Sequence, residues 1–556
     1  MIFRLFIVLL VAASWGCKKT EPAKPHVDGL AVWPGGDPIR VHPTQGTMPL
    51  DPQHVLALTP ATEGATWTDW SLTTGEAATE MRRTGALRGM QTTARWVFSN
   101  GNPQLVFEWS TPTLPHDAAG EEILLSFELP AGDVRYVDAQ QRVVPFVGKD
   151  VVIPPAAPRW LEWRGAQRTL VFSQWTADQM RITPVESGVR LDLVVWDPAM
   201  HVEADCVPEP GPGLKASMML TVGEEPAIFA ARLADGRQSA IVPIFVDGGT
   251  SAIAQEGASL NAADYARRVR TLALGHSDSE DPRHGNGGLV GASLGGTFLA
   301  SAEQLAADEV GAVSQALAGT TVDLAVDNQS TTARIQCETM EGRKTLVDLR
   351  AGAAWEGNYH NDVASVPPVD GGWPTVWTTP VLDGSREAVT DQILSKPYLD
   401  QARRDRAVIV FQTPLVATRN PLVDAFNHSL IVPERQGQWT IAPEFERRLA
   451  DLELDQEVSW HAVLSADALM GQIRSSQAMK IVREADGSWT VNGKMSGLTL
   501  VIPGQHAVSI NGTPAQAQDV GDSQPQTWVV LDVDGSAKVE VAEAQKLEPI
   551  QWVFQP

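Results

Sequence analysis

The chain has 556 residues, with 67 acidic against 43 basic side chains and a net charge of −24 at pH 7. That length holds two to four domains, and acidic charge spread along the chain repels phosphate backbones, which argues against a nucleic-acid partner. Beyond the first residues no window approaches the about 18 apolar residues of a membrane-spanning helix.

At the N-terminus Arg4 precedes an apolar run, Leu5 to Ala13. The run is too short to span a bilayer, and its charged start and apolar core have the form of a secretory signal, residues 1–16. The following Ser14-Trp15-Gly16-Cys17 resembles the lipobox of bacterial lipoproteins, although Ser14 and Trp15 depart from the residues usual there. The resemblance implies lipidation of Cys17, a polar tether over 17–27, and an exported protein held by its lipid at the cell envelope, on the outer membrane or its periplasmic face. Cys206 and Cys337 then remain. In an oxidising compartment they can pair, but spacing along the chain does not fix their distance, and two isolated cysteines are no zinc motif.

Residues 28–237 read as a β-sandwich. Short alternating runs such as Thr93–Phe98, Ile123–Leu129 and Val189–Val195 recur about every 10 residues, separated by turn signals such as Asn100-Gly101-Asn102-Pro103. A Pro/Gly-rich hinge, Pro208 to Gly213, breaks the domain near its end. From 238 to 475 the texture changes to alternating strands and helices. Strands are expected at Ala240–Val246, Gly296–Ala300, Val322–Val326, Val376–Thr378 and Ala407–Gln412, and helices at Ala262–Leu274, Ala302–Leu317, Pro443–Asp455 and Ala462–Gln472. Such alternation predicts a parallel sheet or barrel. Residues 476–556 return to short strands, with Asn492-Gly493 and Asn511-Gly512 as hairpin turns, and read as a small C-terminal β-sandwich. Eighteen Trp against four Tyr is an unusual ratio. A few are expected as flat platforms for sugar rings and the rest as core.

The middle region, about 240–475, resembles the NodB-type polysaccharide deacetylases, a distorted (β/α) barrel. The resemblance rests on order and spacing: Ile241 to Gly249 for the first strand and its aspartate motif, Gly295-Gly296-Thr297-Phe298-Leu299 for the second, Val322 to Thr331 for the third, and Ala407 to Thr413 for a late strand. In that family one aspartate and two histidines hold a divalent metal that activates water, and a late histidine serves as acid. Here the histidine positions hold Asp327 and Thr331, the late position holds Gln412, and only Asp247 remains of the aspartate pair. The expectation is a deacetylase-like barrel that has lost its metal chemistry and binds or scaffolds polysaccharide, with no cofactor. Asp247 is the candidate catalytic residue, and Asp327 and Gln412 are candidate substrate contacts.

Three other groupings carry chemistry. His276, Asp278 and His284, in the polar loop Gly275–Gly288, could contact a sugar or bind zinc as a displaced metal site of an active carbohydrate esterase. Gly291-Ala292-Ser293-Leu294-Gly295 matches the nucleophile elbow of α/β-hydrolases, which places Ser293 as a candidate esterase nucleophile, but the strand that should precede it is missing. Trp373 and Trp377 could stack on a glycan. A purely structural envelope protein is the remaining reading.

Overall fold

The computed structural model describes most of residues 64–246, apart chiefly from 199–210, and most of 386–542. Between these it describes shorter pieces, including 268–273, 293–301, 322–327, 334–339, 344–348 and 376–380, and near the ends the strands at 29–33, 40–45, 48–49, 56–57 and 551–554.

The first body is a two-sheet sandwich. Its large sheet runs in the order Val143–Pro145, Asp133–Val137, Trp160–Arg164, Thr169–Thr176, Lys215–Val222, Gln104–Ser110, Met90–Ser99, Ala78–Leu87, Ala65–Trp67, with Ser71–Thr74 also on Ala78–Leu87. The facing sheet has four strands: Ile123–Pro130, Gly188–Trp196, Gln179–Val185 and Val151–Ile153. Strand Met90–Ser99 explains the layering: Met90, Thr92, Ala94, Trp96 and Phe98 are buried while the residues between them are not, the period of two that turns alternate side chains inward. Trp96 stacks obliquely on Phe107 at 5.0 Å, and Phe107 meets Phe127 of the facing sheet edge-on at 5.5 Å, an arrangement aromatic quadrupoles favour. The two-residue turn Arg88-Gly89, both at positive φ, joins Ala78–Leu87 to Met90–Ser99, as the twist of a tight hairpin requires.

The middle body is an open α/β layer. Its sheet runs Lys344–Asp348, Arg334–Thr339, Val322–Asp327, Gly296–Ser301, Ser239–Val246, Val408–Pro414, Val376–Pro380, with His461–Val463 pairing beside the start of Ser239–Val246. The strands around Ser239–Val246 are parallel, as an uninterrupted buried run Ile241–Phe245 favours. Helices cover both faces. Ile241, Phe245, Phe298, Ile409 and Phe411 pack with Val269, Leu399, Phe445 and Leu449 on one side. On the other, Val242, Ile244 and Val410 pack with Leu469 and Ile473 of helix Ala466–Ala478.

This corrects the expected deacetylase-like barrel. Among the described residues the end strands Lys344–Asp348 and Val376–Pro380 do not pair, and the sheet finishes on antiparallel strands Arg334–Thr339 and Lys344–Asp348. A closed barrel would fill its inner face with its own strand side chains; here each face is covered by helix. The sequence run 462–472 also divides: His461–Val463 is strand and the helix begins at Ala466.

The last body is a seven-stranded sheet centred on the long pair Trp489–Pro503 and Gln526–Val541, and it includes Phe229–Ala230 from upstream. Asn511-Gly512 forms the expected hairpin between Val508–Ile510 and Thr513–Pro514. Asn492-Gly493 does not: both lie inside Trp489–Pro503, where Gly493 pairs with Gly535. Near the ends of the chain, Gly29–Trp33 pairs in parallel with Gln551–Phe554 and antiparallel with Arg40–Gln45.

Candidate functional site at the domain junction

Sequence-selected residues fall in three groups. Asp247, His276, Asp278, His284 and Trp373 lie outside the described residues, as do Cys17 and Cys206. Asp327 ends Val322–Asp327 opposite Ser301 and Cys337, while Gln412 pairs with Ile244 and Pro380. Their strands stand three spacings apart in the sheet, about 14 Å, so the backbone does not bring these two positions together. Trp377 pairs with Ile409 one strand further on. Ser293 is exposed with φ 55° and precedes strand Gly296–Ser301. A nucleophile elbow instead follows its strand and opens a helix, so Ser293 stands at the opposite end of a strand from that arrangement. Among the described residues no three His, Cys, Asp or Glu side chains group as metal ligands. Of the tryptophans among the described residues, Trp96, Trp109, Trp160, Trp163, Trp175, Trp439, Trp489 and Trp528 are buried.

The polar convergence that the structure does contain lies elsewhere, where the outer face of the large sheet meets the C-terminal sheet. Val137, Trp160 and Val171 of the sandwich pack there against Ala227, Phe229, Val501 and Trp528. Beside this apolar seam is a cavity of about 60 Å3 lined from both sides, by Arg159, Trp160, Ser173 and Glu225 and by Met479, Arg483 and Trp489. Local backbone features open it. Strand Thr169–Thr176 slips register against Lys215–Val222 between Ser173 and Thr176, and Gln174 adopts φ 53°, the bend that a bulge produces. Gln174 Nε2 thereby donates to the Ile481 carbonyl, and Gln104 Nε2 donates to the Arg483 carbonyl at 3.1 Å.

Burial dominates the electrostatics. The Glu225 carboxyl side chain is 9 % exposed and 4.0 Å from Arg483. Loss of hydration pushes its pKa up to about 7, against the opposing pull of Arg483 and with a further push from Glu162. Burial lowers Arg159 and Arg232 to about 10 each. Arg483 is also lowered by burial, and its guanidinium lies 5.3 Å from the centre of the Trp489 ring. Arg159 Nε, Trp160 Nε1, Ser173 Oγ and Glu225 Oε2 are buried with no hydrogen-bond partner among the described residues. Three arginines and one carboxylate thus converge on one cavity beside Trp160 and Trp489. Its volume would hold about four to six water molecules or one small polar group.

A second buried polar pair, Ser239 Oγ and His461 Nδ1 at 2.5 Å, sits at the amino ends of two parallel strands. Both residues are buried, and burial, then Arg403, lowers His461 to about 4. The pair is neutral and enclosed at neutral pH, which fits a structural role.

No family model matches this chain, and no curated protein does. Solved structures that are similar include a family 36 α-galactosidase of Geobacillus stearothermophilus, in complex with 1-deoxygalactonojirimycin, at 9 % identity over 90 % of this chain and 94 % of that one, TM-score 0.27. An α-galactosidase of Lactobacillus brevis matches at 10 % identity over 88 % and 91 %, TM-score 0.24. A putative aldose 1-epimerase of Escherichia coli K12 matches at 13 % over 35 % and 81 %, TM-score 0.19. With no family model matching and a sheet whose end strands do not pair among the described residues, the NodB-type resemblance is not upheld.

Proposed function

We propose that this chain is an exported, lipid-anchored envelope protein that binds a carbohydrate-type ligand at the junction of the sandwich and the C-terminal sheet. The observation that carries the reading is the convergence of Arg159, Arg232, Arg483 and Glu225 with Trp160 and Trp489 on one cavity. A few polar groups converging between apolar and aromatic walls is the usual make-up of a small-ligand seat. The sheet face beyond the cavity adds to it. Met219, on the cavity wall, shares its face with Ser217, which pairs with Glu108; Arg95 in turn bridges Glu108 and Glu80. This row of hydrogen-bonding groups suits a polyhydroxylated chain. The anchor rests on the resemblance of Ser14 to Cys17 to a lipobox.

One experiment tests both halves. The mature protein, extracted in detergent, is applied to a glycan array beside the double variant Arg159→Gln/Ser173→Ala, while Cys17→Ser is fractionated in cells. Binding to at least one glycan class, weakened at least about tenfold in the double variant, and release of Cys17→Ser from the membrane fraction are expected. A chain that binds no glycan, or a double variant that binds undiminished, would remove the junction from consideration and favour a structural role.

A further inference from the structure

Charge around the cavity is unequal. Three arginines, Arg159, Arg232 and Arg483, line it together with a single carboxylate, Glu225. Arg483 lies beside Glu225, and Arg232 Nη2 donates to the Arg406 carbonyl at 2.7 Å. Of the nearby acids, Glu162 is taken up by Arg135 and Arg164, and Asp138 by Arg142. Arg159 differs from the other two. It is partly exposed at the cavity, and among the described residues no carboxylate pairs with it, whereas Asp138 acts on Arg232 and Glu225 on Arg483. A guanidinium drawn out of water in this way is stabilised by an anion that accepts from its planar edge.

We infer that the cavity takes the carboxylate of an acidic saccharide, a uronic acid residue, with the Arg159 guanidinium as the principal ligand. The inference deepens the carbohydrate reading above and rests on it. Charge selects a carboxylate over a phosphate: Glu225 within the cavity repels a dianion more than a monoanion. Glu225 also sets a pH dependence. It faces Arg483 on strand Lys480–Arg483 and Glu162 on Trp160–Arg164, and shares the cavity lining with Arg159 and Arg232. Once protonated it no longer opposes the ligand's charge, so the carboxylate binds more tightly as pH falls through about 7.

Calorimetric titration of the full mature chain with D-glucuronate, D-glucose and inorganic phosphate provides the test. Glucuronate is expected to bind at least about tenfold more tightly than either of the others. Arg159→Gln should lose at least that factor for glucuronate, Arg159→Lys should lose less, and Glu225→Gln should abolish the rise in affinity between pH 8 and pH 6. Thermal melts of each variant establish that it is folded. Equal binding of glucose and glucuronate would overturn the carboxylate assignment while leaving the carbohydrate reading in place. Phosphate binding as tightly as glucuronate, or a folded Arg159→Gln that binds glucuronate unchanged, would overturn it as well. A chain that recognises no glycan on the array fails at the earlier step, and the two failures are thereby distinguished.

Discussion

At the level of single residues, burial against charge decides the chemistry of this molecule. Glu225 is the clearest case: its folded pKa of about 7 exceeds the ordinary carboxyl value of 4.5 because water is excluded from around it. The native state therefore holds this proton more tightly than the unfolded chain does. The associated stability is fully present below about 4.5 and is lost as pH rises through about 7, amounting to roughly 3 kcal/mol at most. In Glu225→Gln the carboxyl is gone. The difference in Tm between variant and wild type should be near zero at pH 4.5 and grow in the variant's favour up to about pH 7, as followed by melts at several pH values. A difference that is constant over that range would refute a buried, ionising Glu225. His461 works in the opposite sense in both proteins. Its depressed pKa means that stability is lost as pH falls from 6.5 towards about 4, so the comparison must be between variants and not within one melt series. Nothing about Glu225 in sequence sets it apart from Glu224 beside it. Only its neighbours Arg483 and Glu162, distant in the chain, make it distinctive.

Elements were legible where a local pattern was strong. The alternation in 93–98 and the apolar run 240–246 became strands, and Asn511-Gly512 became a turn because both residues accept positive φ. Asn492-Gly493 carries the same signal, yet it continues a strand: the long partner Gln526–Val541 pairs along its whole length and outweighs the local turn preference. Helix Ala466–Ala478 shows the reverse case, in which a boundary is fixed by one side chain. Ser465 Oγ accepts from the Ala468 amide at 3.2 Å, while the Ala466 amide donates to Thr297 Oγ1 at 2.9 Å. Ser465→Ala should cost about 1 kcal/mol, read as a lower denaturation midpoint with an unchanged slope. A loss below the error of the measurement would show that the neighbouring Thr297 bond alone holds the helix start.

Across the whole molecule, the three bodies are joined by polar staples as well as by apolar contact. Arg406, in a left-handed conformation at the end of helix Lys396–Asp405, is almost fully buried. Its Nη1 donates to the carbonyls of Gln140 at 2.6 Å and Gln141 at 3.1 Å, and its Nη2 donates to Gln526 Oε1 at 2.8 Å. One guanidinium thus ties the middle body to the sandwich and to the C-terminal sheet, with Trp528 beneath it at 4.9 Å. Arg406→Met keeps much of the volume and removes every donor. It should lose about 3 kcal/mol or more and turn one thermal transition into two or more, visible by calorimetry. A single transition at the wild-type temperature would mean that the apolar seam alone couples the bodies.

The sequence by itself determined the class of element along most of the described chain: β-rich at both ends, strand and helix alternating between, with turn chemistry at Asn511-Gly512. Those features depend on neighbours two to four residues away, and a pattern can record them. Tertiary structure alone decided that the middle sheet stays open under helices on both faces, and that the strands bearing Asp327 and Gln412 stand three spacings apart. It also gathered Arg159, Ser173, Glu225 and Arg483 around one cavity. The reason is physical. Strand order and domain packing are set by which apolar faces bury one another, and a buried charge gains its character from groups that no spacing rule connects to it.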